Sequence, residues 1–328
     1  MNYDPRIIDT NVSYGDSFSV TYFANTDGTF IEQERAEVIL TANAVAREGD
    51  NVQTAHDSFS SRDTFSYVTN RDDEIRRIAK LAVDLLSAKS VEGGVYPVVL
   101  NPNLSGVFIH EAFGHLSEAD NIVENPQAQK MMTLGRKFGP EILNVYDDGS
   151  LFPLKRGSIS YDDEGVATKR NYLILKGELV GRLHSRETAA KLNEEPTGNA
   201  RAMSYDSVPL IRMTNTCIEK GETSFEDMIK DIELGVYALD AYGGQTMLEN
   251  FSFSAGYGYM IRNGKIAEMV KDVVLQGNLF KTLANIEAIG DDFTFGLSGG
   301  NCGKGGQSIP VSMGSPHIRI KDVMIGGK

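Results

Sequence analysis

Residues 95–115 read VYPVVLNPNLSGVFIHEAFGH, and this stretch decides the fold that we predict for the chain. The apolar run at residues 95–100 predicts a buried strand. Asn101 and Pro102 predict a helix start, because asparagine is a favoured N-cap residue and proline is favoured at the first helical position. We therefore expect a helix from Pro102 to about Ala119 that begins directly from a core strand.

His110, Glu111 and His115 place two imidazoles and one carboxylate on this predicted helix. Neutral imidazoles bind Zn²⁺, and a glutamate that is not a ligand can take a proton from metal-bound water. Residues i and i+5 lie about 140° apart on a regular α-helix. Both histidines can therefore reach one ion only if the helix widens into a π-turn, kinks or ends within residues 110–116. We expect the departure at Gly114, which tolerates unusual conformations and leaves room beside a metal.

A solvated, salt-bridged helix face is the alternative interpretation of the His-Glu pair. The preceding strand favours the metal site, because it gives the helix rigid support. Glu118 and Asp120 follow closely. Their carboxylates either accept hydrogen bonds from the histidine N–H groups or are ordinary solvated charges.

A catalytic zinc usually takes three protein ligands and one water, so a third ligand is needed. Cys302 lies in a glycine-rich segment at residues 297–307, expected to be a loop, where a thiolate can approach a metal without obstruction. From the residues alone, Cys302 ranks ahead of Glu118 and His317. Cys217 lies in a predicted strand and is interpreted as a buried apolar thiol.

Several separated motifs carry a family resemblance. They are HEAFGHLSEAD at 110–120, TGNAR at 197–201, RMTNT at 212–216, GGQ at 243–245, CGKGGQ at 302–307, PV at 310–311 and PHIRI at 316–320. With these motifs in order, the chain resembles the TldD-type subunit of the TldD/PmbA family of zinc metallopeptidases. The resemblance implies that His110, His115 and Cys302 bind one Zn²⁺ per chain and that Glu111 is the general base.

The resemblance also bears on partners and domains. It implies cleavage of flexible peptides, and pairing with a TldE/PmbA-type paralogue or self-association as a dimer. Family members are usually longer, and this chain resembles their middle and C-terminal portions. We expect residues 1–92 to form a middle-type α+β segment, with the family's N-terminal domain absent upstream. Residues 93–328 are expected to form a C-terminal β-rich catalytic domain.

Other local patterns agree with this division. Asp27-Gly28 predicts a hairpin turn, and residues 72–89 carry apolar side chains at helical spacing. Further hairpins are predicted around Gly177 and at Asn263-Gly264, and Ser224 predicts the start of a helix. The predicted fold class is α+β, with a smaller strand-plus-helix segment followed by a large, mainly antiparallel β-rich domain that carries the metal helix.

Composition limits the possible functions. The chain has 328 residues, 41% of them hydrophobic, and a formal net charge of −13, which argues against binding to nucleic acids or anionic membranes. Its two cysteines do not form a disulfide framework, and neither a secretory signal nor a membrane-spanning run is evident, so we expect a cytoplasmic protein.

The sequence therefore predicts a zinc-dependent peptidase that hydrolyses peptides or unfolded protein segments, with metal-bound water activated by Glu111. A β-rich site favours main-chain recognition of an extended peptide at an edge strand. The alternative is a non-catalytic or structural-metal partner subunit of a peptidase complex, in which Glu111 has no catalytic role.

Overall fold

The first part of the chain is a sheet covered by one helix. The computed structural model describes residues 3–247, 249–296 and 299–326. It begins with three antiparallel strands, β1 (Ile7–Ala24), β2 (Phe30–Glu48) and β3 (Asn51–Ser61). The chain reverses between β1 and β2 at Asp27-Gly28, where Gly28 has a φ of 86°. The predicted hairpin is confirmed.

Helix α1 (Asp72–Ser87) packs on this sheet. Its first turn contains three acidic residues, which favour a helix N-terminus through the helix dipole. Its apolar side chains, such as Ile78 and Ala82, are buried in one cluster with Ala44 and Phe59 of the sheet. The predicted helix is confirmed. The short strand β4 (Lys89–Ser90) follows it.

The second part is richer in strands. In chain order it contains β5 (Gly94–Leu100), α2 (Pro102–Ile109), α3 (Ala119–Val123), α4 (Pro126–Met131), β6 (Val145–Asp148), β7 (Arg170–Leu175), β8 (Glu178–Leu179), α5 (Arg186–Leu192), β9 (Ala200–Arg201), β10 (Leu210–Ile211), β11 (Asn215–Ile218), α6 (Phe225–Ile229), β12 (Leu234–Met247), β13 (Asn250–Arg262), β14 (Lys265–Lys271), β15 (Val274–Asn278), α7 (Leu279–Ala284), β16 (Ile286–Ile289), β17 (Thr294–Phe295), β18 (Gly300–Lys304), β19 (Gln307–Ser315) and β20 (Ile318–Gly326).

These strands form two main sheets. The first has the order β12-β5-β20-β15-β13-β14-β4, with β16 paired to β20. The second has the order β17-β19-β11-β6-β7-β8, with β18 paired to β19. Strands β9 and β10 form a separate pair. Parallel pairing is confined to β5–β12, β11–β19 and β4–β14 among the named strands that the structure describes. The predicted α+β class with mainly antiparallel sheets is confirmed.

The local signals noted in the sequence also hold. Gly177 lies in the turn between β7 and β8, and Asn263-Gly264 joins β13 to β14. Ser224 caps α6, because its side chain accepts a hydrogen bond from the Asp227 amide. No helix in the described ranges has both the length and the apolar character needed to cross a membrane.

Helix α2 lies between the two main sheets. It contacts β12 of the first sheet and β19 and β11 of the second. Asn101 caps it by accepting a hydrogen bond from the Leu104 amide, and Pro102 occupies its first turn, as predicted. Phe108 and Phe113 are almost completely buried, and burial of side chains of this size contributes about 1.5–3 kcal/mol each. The backbone that carries the histidines is therefore held on both sides.

Candidate metal centre

The α-helix changes its hydrogen-bonding pattern at the first histidine. Helix α2 ends at Ile109, residues His110–Gly114 form a π-turn, and residues His115–Ser117 form a single 3₁₀ turn. The His115 amide donates to the carbonyl of His110, which is an i+5 to i hydrogen bond. The predicted departure within residues 110–116 is confirmed, and the predicted continuous helix to Ala119 is corrected. The wider turn brings both imidazoles to one side, with ring centroids 5.3 Å apart.

Gly114 has a different role from the one expected. Its φ of −55° and ψ of −52° are ordinary right-handed helical values, so its conformational freedom is not used. A Cβ atom at this position would lie 2.0 Å from Sδ of Met213. Glycine is needed here because Met213 packs directly against the π-turn.

The structure brings together the three residues predicted to bind metal. One potential ligand atom from each of His110, His115 and Cys302 lies within 4.8 Å of the others. Nε2 of His115 is 3.4 Å from Sγ of Cys302, although 187 positions separate them in the sequence. His110 and Cys302 are buried, whereas His115 is partly exposed. The site therefore has a closed side and an open side.

Cys302 lies on a strand of a β-hairpin, and not in the loop expected from its glycine-rich sequence. Strand β18 pairs antiparallel with β19, and both glycines of the connecting Gly305-Gly306 turn have positive φ values, 56° and 76°. This combination is typical of the type I′ turns that join hairpin strands. The fully buried Arg212 donates hydrogen bonds to the carbonyls of Cys302 and Gln307. No local sequence pattern predicts this role of Arg212, because its contacts depend on the fold.

A buried charge network supports His115. Oε2 of Glu118 lies 3.2 Å from Nδ1 of His115 and 2.8 Å from Nζ of Lys304. Nζ of Lys304 is also 2.8 Å from Asp120. The Glu118 side chain has no solvent exposure. Of the two interpretations of these carboxylates, the structure supports hydrogen bonding to a histidine for Glu118, and it pairs Asp120 with a lysine.

The two histidines have opposite protonation preferences. Burial, together with the nearby His115 and Arg212, lowers the pKa of His110 well below its usual value. Burial also acts to lower the pKa of His115, but hydrogen bonds with Cys302 and Glu118 outweigh burial and raise that pKa to about 10. His110 is thus a neutral imidazole at pH 7, whereas His115 is protonated.

Glu111 lies at the open side of the cluster. Its Oε2 atom is 3.8 Å from Nε2 of His115, and about a third of its side chain, 32%, is exposed. Burial and the charge of Glu118 raise the pKa of Glu111, against the opposing effect of His115. A carboxylate with a raised pKa accepts and returns protons more effectively near neutral pH.

The alternative ligands lie elsewhere or have other partners. Nδ1 of His317 is hydrogen-bonded to Asp292, and its Nε2 is 2.8 Å from the hydroxyl of Tyr237. Cys217 is completely buried in β11, and burial raises the pKa of its thiol. This agrees with its interpretation as an apolar core residue.

A cleft lies against one face of α2. It is lined by Asn103 and Val107 of that helix, by Gly300 and Met313 of the cysteine hairpin, and by residues of β3 and β12. Its lining does not include Glu111 or the three clustered residues.

Comparison with known proteins agrees with this architecture. Residues 93–327 match the PmbA/TldA metallopeptidase C-terminal domain, and residues 1–89 match the PmbA/TldA metallopeptidase central domain. The chain belongs to the TldD/PmbA family of metallopeptidases, which confirms the resemblance predicted from its motifs.

Two relatives are named as metalloproteases. A metalloprotease from Synechocystis is 50% identical over 323 residues, which covers 98% of this chain and 69% of that protein. A zinc metalloprotease TldD homolog from Saccharolobus solfataricus is 34% identical over 326 residues, covering 98% of this chain and 72% of the relative. At the level of the family, the chain is thus a metallopeptidase-type protein.

Two solved structures have the same fold. A Thermotoga maritima protein, described as a candidate modulator of a DNA gyrase, superposes with a TM-score of 0.80 at 26% identity, over 99% of this chain and 71% of its own. TldE from Thermococcus kodakarensis gives a TM-score of 0.76 at 22% identity, over 96% and 69% respectively.

Proposed function

We propose that this chain is a zinc-dependent peptidase that hydrolyses peptides or unfolded protein segments, with Glu111 as its general base. The observation that carries the proposal is the convergence of His110, His115 and Cys302 within 4.8 Å, beside a partly exposed glutamate. Relatives named metalloprotease and zinc metalloprotease support the same reaction class and the same metal.

The residues present fit a zinc ion. Two imidazoles and one thiol are a donor set that zinc favours. Nδ1 of His110 is buried and has no hydrogen-bond partner within the described ranges, a situation that costs about 1–3 kcal/mol for a polar group. The separation of 3.4 Å between Nε2 of His115 and Sγ of Cys302 is close to that of two tetrahedral ligands with bonds of about 2.0–2.3 Å. When bound, Zn²⁺ supplies Lewis acidity that polarises the scissile carbonyl and acidifies water.

The side chains of the protein then have separate tasks. Glu111 accepts a proton from the attacking water and returns it to the leaving amine, for which its raised pKa is suited. Glu118 fixes the ring orientation of His115 through Nδ1, so that Nε2 faces Cys302. Arg212 holds the Cys302 carbonyl and with it the position of the thiol.

Substrate recognition through the peptide backbone is proposed at strand β18. Lys304 and Gln307 flank the two-residue turn and form a hydrogen-bonded pair, so the polar backbone groups of Asn301 and Gly303 face away from β19. Both residues are exposed, and β18 pairs only with β19 among the described strands. An extended peptide paired with this edge lies next to Cys302, which makes cleavage weakly dependent on side chains.

We also propose that the chain pairs with a second subunit of the same fold, either a TldE/PmbA-type paralogue or a second copy of itself. The likeness to TldE supports a common subunit architecture.

Metal analysis combined with peptide digestion tests the proposal. The wild-type protein is expected to contain one zinc ion per chain and to hydrolyse a mixture of unfolded peptides. Glu111→Gln is expected to retain zinc and to lose hydrolysis by about a hundredfold or more, the scale of general-base catalysis. The matched control is Glu124→Gln, because Glu124 is an exposed glutamate outside the cluster.

Unchanged turnover in zinc-loaded Glu111→Gln would remove the base from the proposal and make Glu118 the next carboxylate to test. Stoichiometric zinc without hydrolysis in the wild-type protein would favour the structural-metal subunit instead.

A further inference from the structure

Three arginine side chains converge on a small cavity between the first and second parts of the chain, which we call the arginine pocket. Arg35 of β2 and Arg62, which follows β3, line it from the first part, and Arg201 of β9 lines it from the second. Its volume is about 180 Å³, below the roughly 300–1,000 Å³ of sites for drug-sized ligands. The pocket therefore suits an ion or one small chemical group.

The register of the first sheet explains why polar side chains meet on one of its faces. Alternate residues of a strand point to the same side of the sheet. Ser19 of β1 pairs with Arg35 of β2, and one step along the same face Ser17 pairs with Glu37. All four line the pocket, and Ser308 of β19 lines it from the second part. The pocket thus combines guanidinium groups with three hydroxyl groups.

The two carboxylates that line the pocket already have partners. Glu37 accepts hydrogen bonds of 2.9 and 2.7 Å from the guanidinium of Arg156. Asp163 lies 3.4 Å from the guanidinium of Arg35. It also accepts a hydrogen bond of 2.7 Å from the Ala202 amide. Each carboxylate is therefore engaged with a guanidinium group of its own.

The other two arginines contact carbonyl groups instead. Nε of Arg62 donates to the carbonyl of Arg156 at 2.8 Å. Arg201 is only 3% exposed, and it donates to the carbonyls of Met213 and Pro310 at 2.6 and 2.8 Å. Neither arginine forms an ion pair with a carboxylate in the ranges that the structure describes. Carbonyl groups solvate a cation but do not neutralise it, so two positive charges are left uncompensated at the pocket.

The pKa values of these two groups reflect the cost of this arrangement. Burial, together with the neighbouring Arg35 and Arg156, lowers the pKa of Arg62 to about 10. Burial and the charge of Arg62 lower the pKa of Arg201 to about 9. Both groups remain protonated at pH 7. An anion placed between them favours their charged forms and removes part of this cost.

We propose that the arginine pocket binds a small oxyanion, either inorganic phosphate or the carboxylate of a small organic acid. Guanidinium groups donate paired N–H bonds to the oxygens of phosphates and carboxylates, and these charge-assisted hydrogen bonds are among the stronger ones in proteins. Serine hydroxyls donate further bonds to the same oxygens. The whole chain has a net charge of −13, so local contacts and not a general positive field attract the anion.

A bound anion also links the two parts of the chain. Arg62 belongs to the first part and Arg201 to the second, so an oxyanion between them adds a contact that exists only in the folded protein. A ligand of this kind stabilises the native state by mass action. The inference involves neither a metal ion nor peptide hydrolysis.

Isothermal titration calorimetry of the full chain with inorganic phosphate and, separately, with succinate tests the proposal, at an ionic strength held constant with chloride. Two charge-assisted hydrogen bonds correspond to roughly millimolar affinity. Arg62→Gln is expected to weaken binding about tenfold or more, because one such contact is lost. Arg62 lies outside the metal cluster, so this loss assigns the anion to the pocket and not to a bound metal. The control Arg76→Gln changes a 64% exposed arginine of α1 and is expected to bind like the wild type.

A second pair of variants leaves the buried arginines in place. Ser19→Glu puts a carboxylate at the pocket from an exposed position and is expected to abolish anion binding. Ser13→Glu adds the same charge on the same face of β1 outside the pocket and is expected to have no effect. Urea titration with and without the anion gives an independent readout, since the anion is expected to raise the unfolding midpoint of the wild type but not of Ser19→Glu.

Circular dichroism establishes that each variant is folded. Binding of phosphate alone or of succinate alone supports the site and identifies its anion. A wild-type chain that binds neither at concentrations up to about 20 mM, well above the expected dissociation constant, overturns the proposal. Folded Arg62→Gln and Ser19→Glu proteins that both bind with wild-type affinity overturn it as well.

Discussion

Replacing Lys304 with methionine is expected to weaken the metal centre, because the buried carboxylate of Glu118 loses its cationic partner. Lys304 is 18% exposed and lies 2.8 Å from Glu118, whose side chain has no exposure. Removing one partner of a buried ion pair costs about 3–5 kcal/mol. His115 still faces Glu118 at 3.2 Å, so we expect the lower end, about 3 kcal/mol.

Urea titration of the metal-free protein measures this loss as a change in unfolding free energy. Glu118→Gln is expected to lose less, because Lys304 keeps Asp120 and the carbonyl of Ile211 as partners, and the glutamine amide remains able to hydrogen-bond. In the double variant Lys304→Met/Glu118→Gln, most of the lost unfolding free energy is expected to be recovered, because the buried charge is gone. The coupling energy from this double-mutant cycle isolates the pair.

Zinc binding gives a second measurement of the same network. Outer-shell partners of a ligating histidine typically change metal affinity by about 10–100-fold, so both single variants are expected to bind zinc more weakly by that factor. A Lys304→Met protein within about 1 kcal/mol of the wild type would refute the reasoning, because that is the range of an exposed ion pair.

Three further predictions concern the cluster itself. Cys302→Ala is expected to lose most of its bound zinc in metal analysis, because only two ligands remain; stoichiometric zinc in this variant would contradict the assignment. Gly114→Ala is expected to lower the unfolding free energy by about 1–3 kcal/mol, since the new Cβ overlaps Met213, whereas Gly303→Ala, whose Cβ meets nothing within 4 Å, is expected to leave stability nearly unchanged. The apparent zinc affinity is expected to increase with pH, because the pKa of His115 is raised to about 10 and its proton competes with the metal. The raised pKa of His115 stabilises the metal-free fold fully below pH 6.5, and this stabilisation is lost as the pH rises through about 10. Chelator competition at increasing pH measures the zinc affinity, and urea titration of the metal-free protein measures the stability.

The sequence by itself determined the local features of this protein. Strand β5, the Asn101 cap and the hairpins at Asp27-Gly28 and Asn263-Gly264 depend on residues that are close along the chain, so patterns of apolar spacing and turn chemistry are sufficient to predict them. Burial was predicted for residues 95–100, but only residues 98–100 of β5 are buried, because the packing of remote segments decides which strand residues are covered. A departure from regular α-helix within residues 110–116 was also predictable, because histidines five residues apart on a regular helix cannot face one point, but the sequence left open whether it would be a π-turn, a kink or a helix end.

The tertiary structure decided which distant groups complete the site. Cys302 reaches His115 across 187 positions, and Lys304 reaches Glu118 across 186. Arg212 supports the cysteine hairpin, and Met213 is the reason that Gly114 has no side chain. The glycine-rich segment indicated Cys302 as a candidate, but no local pattern shows which distant groups meet, because each contact depends on how two sheets and the helix between them pack. Propensity acts over a few residues, whereas the position of a buried charge or a packing overlap is fixed only when remote segments are brought together in the folded core.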